Sequence, residues 1–151
     1  MRTAVTVLVV VMALSGCEKD EPPPPAFPDS GVTCMSTADQ SQIQSWLADA
    51  GPEAGPLDDP GLLAALACGR VPECLDPLYQ GQIDAGYQCV DDCMGPTAAG
   101  SLTAGCRNCY IVNGLLCAGY ACLTVCVGSN AACEPCFQEQ CADALYHCLG
   151  L

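Results

Sequence analysis

Apolar side chains recur at intervals of three or four residues after the polar segment Thr37–Gln40. This spacing places side chains on one face of an α-helix. The first such set consists of Ile43, Trp46, Leu47 and Ala50. Thr37–Gln40 fits a capping box, in which the first and fourth side chains satisfy exposed N–H groups of the first turn. Gly51 and Pro52 end the pattern, and the sequence predicts a first helix over residues 37–50.

The same pattern continues to the end of the chain, divided by glycine and proline. Asp59 followed by Pro60 is typical of a helix start, and Gly69 of a helix end. Interior glycines weaken the two longer segments that follow, and we expect a break in the second of them near Gly114 and Gly119. The predicted helices span residues 60–69, 76–95, 101–127 and 135–149. No segment alternates apolar and polar residues as a half-buried strand does, so the predicted fold is all-α.

The first residues have the features of an export signal. A charged start, Met1-Arg2-Thr3, precedes an apolar run from Ala4 to Leu14. The run is shorter than the roughly 20 residues that a membrane-spanning helix needs. It ends in Leu14-Ser15-Gly16-Cys17, which resembles the lipobox of bacterial lipoproteins. The resemblance implies that residues 1–16 are a lipoprotein signal peptide and that Cys17 is acylated and becomes the first residue of the mature chain.

Residues 17–30 are predicted to form the lipidated cysteine and an acidic, proline-rich tether. The segment Glu18–Ser30 contains five prolines and almost no residues that build a core. Such a composition favours polyproline II, which at about 3.1 Å per residue spans on the order of 40 Å. The alternative is a disordered leader with no spacing role. Residues 31–151 are predicted to form one Cys-rich helical domain.

Cysteine is the most unusual feature of that domain. Fourteen cysteines follow Cys17, an even number that permits complete pairing. A bacterial envelope is an oxidising environment in which disulfides persist. Large apolar residues are few, since the domain has one Phe (Phe137) and one Trp (Trp46). We therefore expect disulfides, at about 2–4 kcal/mol each, to supply stability that packing lacks.

Two blocks of cysteines share a spacing. In each, a Cys-x-x-x-Cys pair is followed by a Cys-x-x-Cys pair, and residues three or four apart share a helix face. Two such helices folded as an antiparallel hairpin bring the inner cysteines together near the turn and the outer ones a helical turn away. The arrangement resembles the twin-cysteine helical hairpins of mitochondrial intermembrane-space proteins. The predicted pairs are Cys126–Cys133, Cys122–Cys136, Cys93–Cys106 and Cys89–Cys109.

Six cysteines remain without an assigned pair at this point. They are Cys34, Cys68, Cys74, Cys117, Cys141 and Cys148. A Cys117–Cys141 pair would extend the second hairpin outward. On straight helices Cys117 sits about 140° from Cys122, and Cys136 about 140° from Cys141. A kink near Gly119 would be needed to align that pair, and the six allow 15 pairings.

Metal binding is the alternative interpretation of the cysteines. Two Cys-x-x-Cys pairs, Cys106/Cys109 and Cys133/Cys136, match the ligand set of a four-thiolate zinc site. The cysteine density and helical spacing also resemble bacterial copper storage proteins, whose helical bundles hold Cu(I) with thiolates. The chain departs from them in its Gly and Pro breaks, its lipobox and the absence of a twin-Arg signal. Disulfides are favoured over both, because exported thiols meet an oxidising compartment.

Catalytic patterns are weak. Cys133-Glu-Pro-Cys136 has thioredoxin-like spacing without a βαβ context, and His147 is the only histidine. Arg107 beside Cys106 is interpreted as a neighbour of a disulfide rather than a thiol activator. The pairs Asp58/Asp59 and Asp91/Asp92 are interpreted as helix-cap and surface acids. We expect no catalytic residues, no cofactor and no bound metal.

The chain is strongly acidic, with 17 acidic against four basic residues and a net charge of −13. Such a charge disfavours nucleic acid and anionic headgroups as partners. No EF-hand-type sequence supports calcium binding.

The layout as a whole, namely lipobox, acidic proline-rich tether and Cys-rich domain, resembles uncharacterised Cys-rich surface lipoproteins of myxobacteria and their relatives. Glu18, where Asp favours the inner membrane in enteric bacteria, indicates the outer membrane or cell surface. We expect a lipid-anchored protein of the cell envelope that acts as a non-enzymatic interaction or structural module. Its expected contacts are the membrane, through the anchor, and an envelope or extracellular protein.

Overall fold

The computed structural model describes residues 34–51, 54–126 and 130–151, and these ranges form a small disulfide-rich helical domain without strands. The predicted signal peptide (1–16), Cys17 and the tether (to residue 30) lie outside the described residues. The helices are α1 (Thr37–Ala50), α2 (Pro60–Gly69), α3 (Pro72–Tyr79), α4 (Ile83–Met94), α5 (Ala104–Cys109), a π-helix (Tyr110–Leu116), α6 (Cys117–Ala121), α7 (Leu123–Cys126), α8 (Asn130–Gln140) and α9 (Ala142–Leu149). Short 3₁₀ turns lie at Pro56–Asp58 and Ala98–Ser101.

Helix α1 has the predicted length but a different cap. Its N-cap is Ser36, whose hydroxyl accepts a hydrogen bond from the backbone N–H of Asp39 at 3.0 Å, so the capping box expected at Thr37–Gln40 is wrong by one residue. The amide of Gln40 instead donates to the carbonyls of Cys34 and Leu149. It thereby ties the start of the described chain to its last helix.

The segment predicted as one helix over 76–95 is a helical hairpin. Helix α3 begins at Pro72, and Gly81 adopts a positive φ of 73°, which only glycine adopts readily. The resulting turn allows α4 to fold back against α3. Gly86 is buried at the contact, because an added Cβ would lie 2.4 Å from Cδ2 of Leu78. Gly81 and Gly86, which would weaken one long helix, therefore form a turn and a close packing contact.

The segment predicted as a helix over 101–127 is interrupted twice. It changes from α-helix to π-helix at Tyr110, returns to α-helix at Cys117, and breaks at Cys122, whose φ is −119°. A π-helix widens the backbone by one residue per turn. Both interruptions lie near the expected positions, since the π-helix contains Gly114 and the break at Cys122 comes three residues after Gly119.

The last predicted helix starts earlier than expected and is also broken. Helix α8 begins at Asn130 and carries Pro135 in its interior, and Cys141, with φ −125°, separates it from α9. Gly150 then ends α9 in the left-handed conformation at φ 75°, the usual glycine C-cap.

The core lies where α2 packs against the π-helix. Tyr110 and Phe137 are the largest fully buried side chains. The ring of Tyr110 lies directly over Gly61, where an added Cβ would be 2.4 Å from Cζ, and Gly114 makes similar room for Leu62. On the predicted apolar face of α1, Ile43 and Trp46 are buried, whereas Leu47 (36%) and Ala50 are exposed. Leu62, Val90, Phe137, Leu145 and Cys148 are buried on the later helices, and Leu63 is 49% exposed.

A Gly61→Ala substitution should lower the free energy of unfolding by about 1–3 kcal/mol, because the methyl group forces Tyr110 out of its buried position. The matched control is Gly119→Ala in α6, where no atom beyond the chain neighbours and the backbone of its own helix lies within 4 Å of the added Cβ and helix propensity favours alanine by about 0.5–1 kcal/mol. Thermal unfolding of the disulfide-intact proteins measures both. Equal effects at the two glycines would contradict the packing described for α2.

Candidate interaction surfaces

All fourteen cysteines from Cys34 to Cys148 are in disulfides. The pairs are Cys34–Cys106, Cys68–Cys93, Cys74–Cys89, Cys109–Cys148, Cys117–Cys141, Cys122–Cys136 and Cys126–Cys133. The two pairs predicted for the second hairpin, Cys122–Cys136 and Cys126–Cys133, are confirmed, with Cα–Cα distances of 5.9 and 4.3 Å.

The two pairs predicted for the first hairpin are wrong. Helix α4 packs chiefly against α3 and α2 and less against α5. Cys89 and Cys93 therefore lie beside earlier residues of the chain and form disulfides with Cys74 and Cys68, respectively. The turn at Gly81 determines these partners, because it folds α4 back onto the residues that precede it.

Helix α5 uses its two cysteines to join both ends of the described chain. Cys106 binds Cys34 and Cys109 binds Cys148. The two disulfides are in contact, with the Sγ atoms of Cys34 and Cys109 4.0 Å apart. All four cysteines are fully or almost fully buried, so this double cross-link lies inside the core.

Four disulfides form a ladder between the segment 104–126 and the segment 130–149. In order they are Cys109–Cys148, Cys117–Cys141, Cys122–Cys136 and Cys126–Cys133. The 140° offset that argued against Cys117–Cys141 applies to straight helices, but the two segments break at Cys122 and Cys141. The breaks change the helical phase, so that Cys117–Cys141, Cys122–Cys136 and Cys126–Cys133 all lie on the shared face. The break at Cys122 lies three residues after Gly119, near which a kink was expected.

Thiolate sites are not available among the described residues, since every cysteine there is oxidised. No group of three or more His, Cys, Asp or Glu side chains in the same ranges is arranged to hold a metal ion. None of the helices described between residues 34 and 151 has the length and hydropathy to cross a bilayer.

Asp39 is a buried carboxylate that joins α1 to α5. Its two oxygens accept hydrogen bonds from the backbone N–H (2.9 Å) and the hydroxyl (2.7 Å) of Thr103, the N-cap of α5. Burial acts to raise the pKa of Asp39, but the hydrogen bonds from Thr103 and the charge of Arg107 outweigh it and lower the pKa. Asp39 is thus an ionised structural residue.

Asp59 is the second buried carboxylate. As predicted from its position it caps α2, with one oxygen accepting from the N–H groups of Gly61 (2.7 Å) and Leu62 (3.1 Å). Its other oxygen accepts a long hydrogen bond, 3.3 Å, from the hydroxyl of Tyr110. Burial raises the pKa of Asp59 despite these bonds. Burial and the nearby Asp59 carboxylate also raise the pKa values of Tyr110 and Tyr146.

The remaining candidate polar residues have structural partners. Arg107 forms a bidentate ion pair with Asp91, at 2.7 and 3.1 Å, and donates to the carbonyl of Leu102. Asp92 accepts a hydrogen bond from Gln88 on the surface of α4. The aspartates interpreted as caps and surface acids take these roles, except that Asp91 is partly buried.

An open groove lies between α1 and α9. It has a volume of about 420 Å³ and is lined by Leu47, Asp143, Tyr146, His147 and Leu151. A hollow of about 60 Å³ adjoins it and reaches Trp46 and Asp59. His147 lies on the exposed rim of the groove, where neither Asp143 nor Tyr146 is shown to bond to it. The groove is shallow and offers an apolar contact surface rather than an enclosed site.

The second exposed apolar region lies at the end of the ladder nearest the connection between Cys126 and Cys133. Tyr120, Leu123 and Val125 are 48%, 39% and 37% exposed. They lie within residues 108–133, a stretch of the sequence that contains no charged side chain although the chain has 21. The predictions from sequence did not include this stretch, and the signal for it is the distribution of charge.

Comparisons with protein-family models, curated protein sequences and solved structures gave no match to this chain.

An Asp59→Asn substitution should remove part of the pH dependence of stability. Because folding raises the pKa of Asp59 above 3.8, the folded state binds more protons than the unfolded state, and the free energy of unfolding falls as pH rises from about 4 through the raised pKa. Asparagine can still cap the helix, but it does not ionise, so the variant does not lose stability in this way as pH rises. The stability of the Asp59→Asn variant relative to wild type should therefore increase over that pH window in thermal unfolding.

The exposed neighbour Asp58 provides the control for loss of one negative charge, as Asp58→Asn. A constant difference between wild type and the Asp59→Asn variant from pH 3.5 to 7 would show that burial of Asp59 does not disfavour its charge.

Proposed function

We propose that this protein is a lipid-anchored lipoprotein of the bacterial cell envelope whose Cys-rich domain is a non-enzymatic interaction or structural module. The proposed anchor is Cys17, and the proposed site is the outer membrane or cell surface. The observation that carries the proposal is the complete pairing of fourteen cysteines in a domain of about 120 residues. Such pairing requires an oxidising compartment, which agrees with the export signal.

The polar groups of the domain support a structural role. Both buried carboxylates are helix-linking or helix-capping groups with their hydrogen bonds made. Within the described residues no buried side-chain oxygen or nitrogen lacks a partner. An active site usually holds an acid, base or nucleophile with a perturbed pKa in a cleft. Asp59 has a raised pKa and borders the small hollow, but its oxygens accept hydrogen bonds as the cap of α2 and from Tyr110. The groove between α1 and α9 instead presents apolar surface with polar residues on its rim.

The Cu(I) storage alternative depends on free thiolates. In the oxidised domain the soft ligands are consumed, so this role would require a reduced form in which the ladder is open. Two buried disulfides join α5 to Cys34, before α1, and to Cys148 in α9. Reduction is therefore expected to unfold the domain as well as to release the thiolate ligands. Cu(I) storage is for this reason the weaker proposal.

The test uses the full chain, expressed in a bacterium that processes lipoproteins. Wild type should enter the detergent phase of a phase separation, and its intact mass should correspond to acylated Cys17 at the N-terminus. Cys17→Ser should leave the protein unanchored or unprocessed, because acyl chains contribute about 0.8 kcal/mol per buried methylene. Ser15→Ala is the control, since it keeps a small residue before the cut site.

The same sample reports the thiol state. Without reductant no cysteine between residues 34 and 148 should react with an alkylating reagent, and after reduction and denaturation fourteen should. A Cys17→Ser protein that stays anchored like wild type would contradict the lipoprotein proposal. Free thiols with several bound copper ions per chain would favour the storage alternative.

A further inference from the structure

The groove between α1 and α9 is open to solvent and mostly apolar. It is lined by Leu47 and Leu151, which are 36% and 45% exposed, and by the partly buried Tyr146, while Asp143 and His147 are exposed on its rim. Its volume of about 420 Å³ lies within the roughly 300–1,000 Å³ of ligand sites. The groove can therefore hold one aromatic side chain together with neighbouring small apolar residues.

The polypeptide enters the domain at one end of this groove. The amide of Gln40 donates to the carbonyls of Cys34 and Leu149, so the first described residue lies beside the end of α9. Leu151, two residues beyond Leu149, lines the groove. Gln40 and Leu47 are seven residues apart, which places them on the same face of α1 at a separation of about 10 Å along the helix axis. The face that carries the contact with Cys34 therefore leads to the groove.

The sequence before Cys34 contains a segment whose chemistry fits an apolar groove. Residues 22–28 are Pro-Pro-Pro-Pro-Ala-Phe-Pro, without a charged side chain, and Phe27 is the only aromatic residue between Cys17 and Cys34. Proline-rich segments favour polyproline II and bind apolar, aromatic-containing grooves with little loss of entropy. The acidic residues on either side of the segment are unsuited to a groove with Asp143 on its rim.

The connection to Cys34 is long enough for this segment to reach the groove. Phe27 lies seven residues before Cys34, and seven extended residues span about 23 Å. This is more than twice the distance of about 10 Å from Gln40 to Leu47. The connection includes Ser30-Gly31, a pair that favours a turn. Phe27 can therefore reach Leu47 even when part of the connection is used to reverse direction.

We propose that the segment 22–28 binds in the groove between α1 and α9 of its own chain, with Phe27 against Leu47 and Tyr146. A segment held by a short connection has an effective concentration in the millimolar range. A free peptide, a second copy or another apolar partner has to compete with that concentration. Covalent attachment beside the groove is therefore what favours this occupant over the others.

Docking of the segment shortens the proposed tether. With residues 22–28 bound, only Glu18–Glu21 separate Cys17 from the bound segment, which is about 12 Å in polyproline II instead of roughly 40 Å for the whole of residues 18–30. The α1–α9 side of the domain would then lie next to the membrane. This consequence rests on the proposed anchor at Cys17, whereas the docking itself depends only on the segment and the groove.

The test places a photo-crosslinking benzoylphenylalanine at position 27 of the full chain, which is illuminated in host membranes and, after purification, in detergent at low protein concentration. After reduction, trypsin cleaves at Lys19, Arg70 and Arg107, so that only a photo-crosslink can join peptide 20–70 to peptide 108–151. We expect a link from position 27 to residues 143–151 in protein of monomer size. A mixture of isotopically labelled and unlabelled protein distinguishes a link within one copy from a link between two.

Substitutions in the groove test the chemistry of the contact. Leu47→Glu should lower the yield of the link to peptide 108–151 about tenfold or more, because it places a carboxylate in an apolar contact. The matched control is Leu63→Glu at an exposed leucine of α2, which should leave the yield unchanged. Leu151→Glu is a second groove variant and decides the matter if Leu47→Glu does not fold. Far-UV circular dichroism and the absence of reactive thiols establish that a variant is folded.

Three results would overturn the proposal. They are equal cross-linking of position 27 to peptides 71–107 and 108–151, cross-linking only to lipid, to another protein or to a second copy, and a yield that folded groove variants leave unchanged. Failure of the proposed anchor is a separate result, reported by the phase separation of the Cys17→Ser protein. The link within one copy should form in that protein as well, because it retains both the segment 22–28 and the groove.

Discussion

The antiparallel cross-linking of segment 104–126 to segment 130–149 is the constraint on which the rest of the structure depends. Four disulfides hold these two broken helices side by side, and the π-helix within the first segment carries Tyr110 into the core. The fifth link, Cys34–Cys106, closes the longest separation, 72 residues. On the chain-entropy model a loop of that size contributes about 4 kcal/mol and the seven-residue separation of Cys126–Cys133 about 2 kcal/mol.

The cross-links need no unusually close helices. The Cα–Cα distances of 4.3 to 5.9 Å are near the usual range for disulfides and fit helix axes about 8–10 Å apart, because each Cα lies about 2.3 Å from its axis. Glycine supplies the space at the contact of α2 with the π-helix, through Gly61 and Gly114. The helix ends are fixed in turn by Asp59, and by Asp39 through Thr103. Disulfides, small residues and buried caps thus replace the large apolar core that the sequence lacks.

The helical class and the second hairpin were predictable from local signals. Periodic apolar residues and the six-residue connection between Cys126 and Cys133 leave little freedom. The first hairpin was predicted wrongly because a turn near position 99 also fits two pairs. The full set of disulfide pairs identifies the correct positions of the turns. Residues paired across an antiparallel hairpin are equidistant from its turn, and turns near 81 and 129 give equidistant partners to twelve cysteines.

The exact places of the breaks at Cys122 and Cys141 were not predictable in the same way, because neither residue is Gly or Pro, and Gly114 indicates an interruption of the helix but not a π-helix. They follow from tertiary constraint, since only a change in helical phase brings Cys117 to Cys141 while Cys122–Cys136 and Cys126–Cys133 also form. The exposed apolar region of Tyr120, Leu123 and Val125 was missed for a different reason. Periodicity shows which residues repeat on a face, whereas the exposure of that face is known only when the packing of all helices is known.

Tryptic cleavage of the unreduced, denatured protein tests the disulfide framework most directly. After thiol blocking at acidic pH, cleavage at Arg70 and Arg107 yields segments 20–70, 71–107 and 108–151. The structure predicts that the first two stay linked through Cys34–Cys106 and Cys68–Cys93, while 108–151 is released with its four internal disulfides. A disulfide-linked product containing both 71–107 and 108–151 would contradict the framework described here.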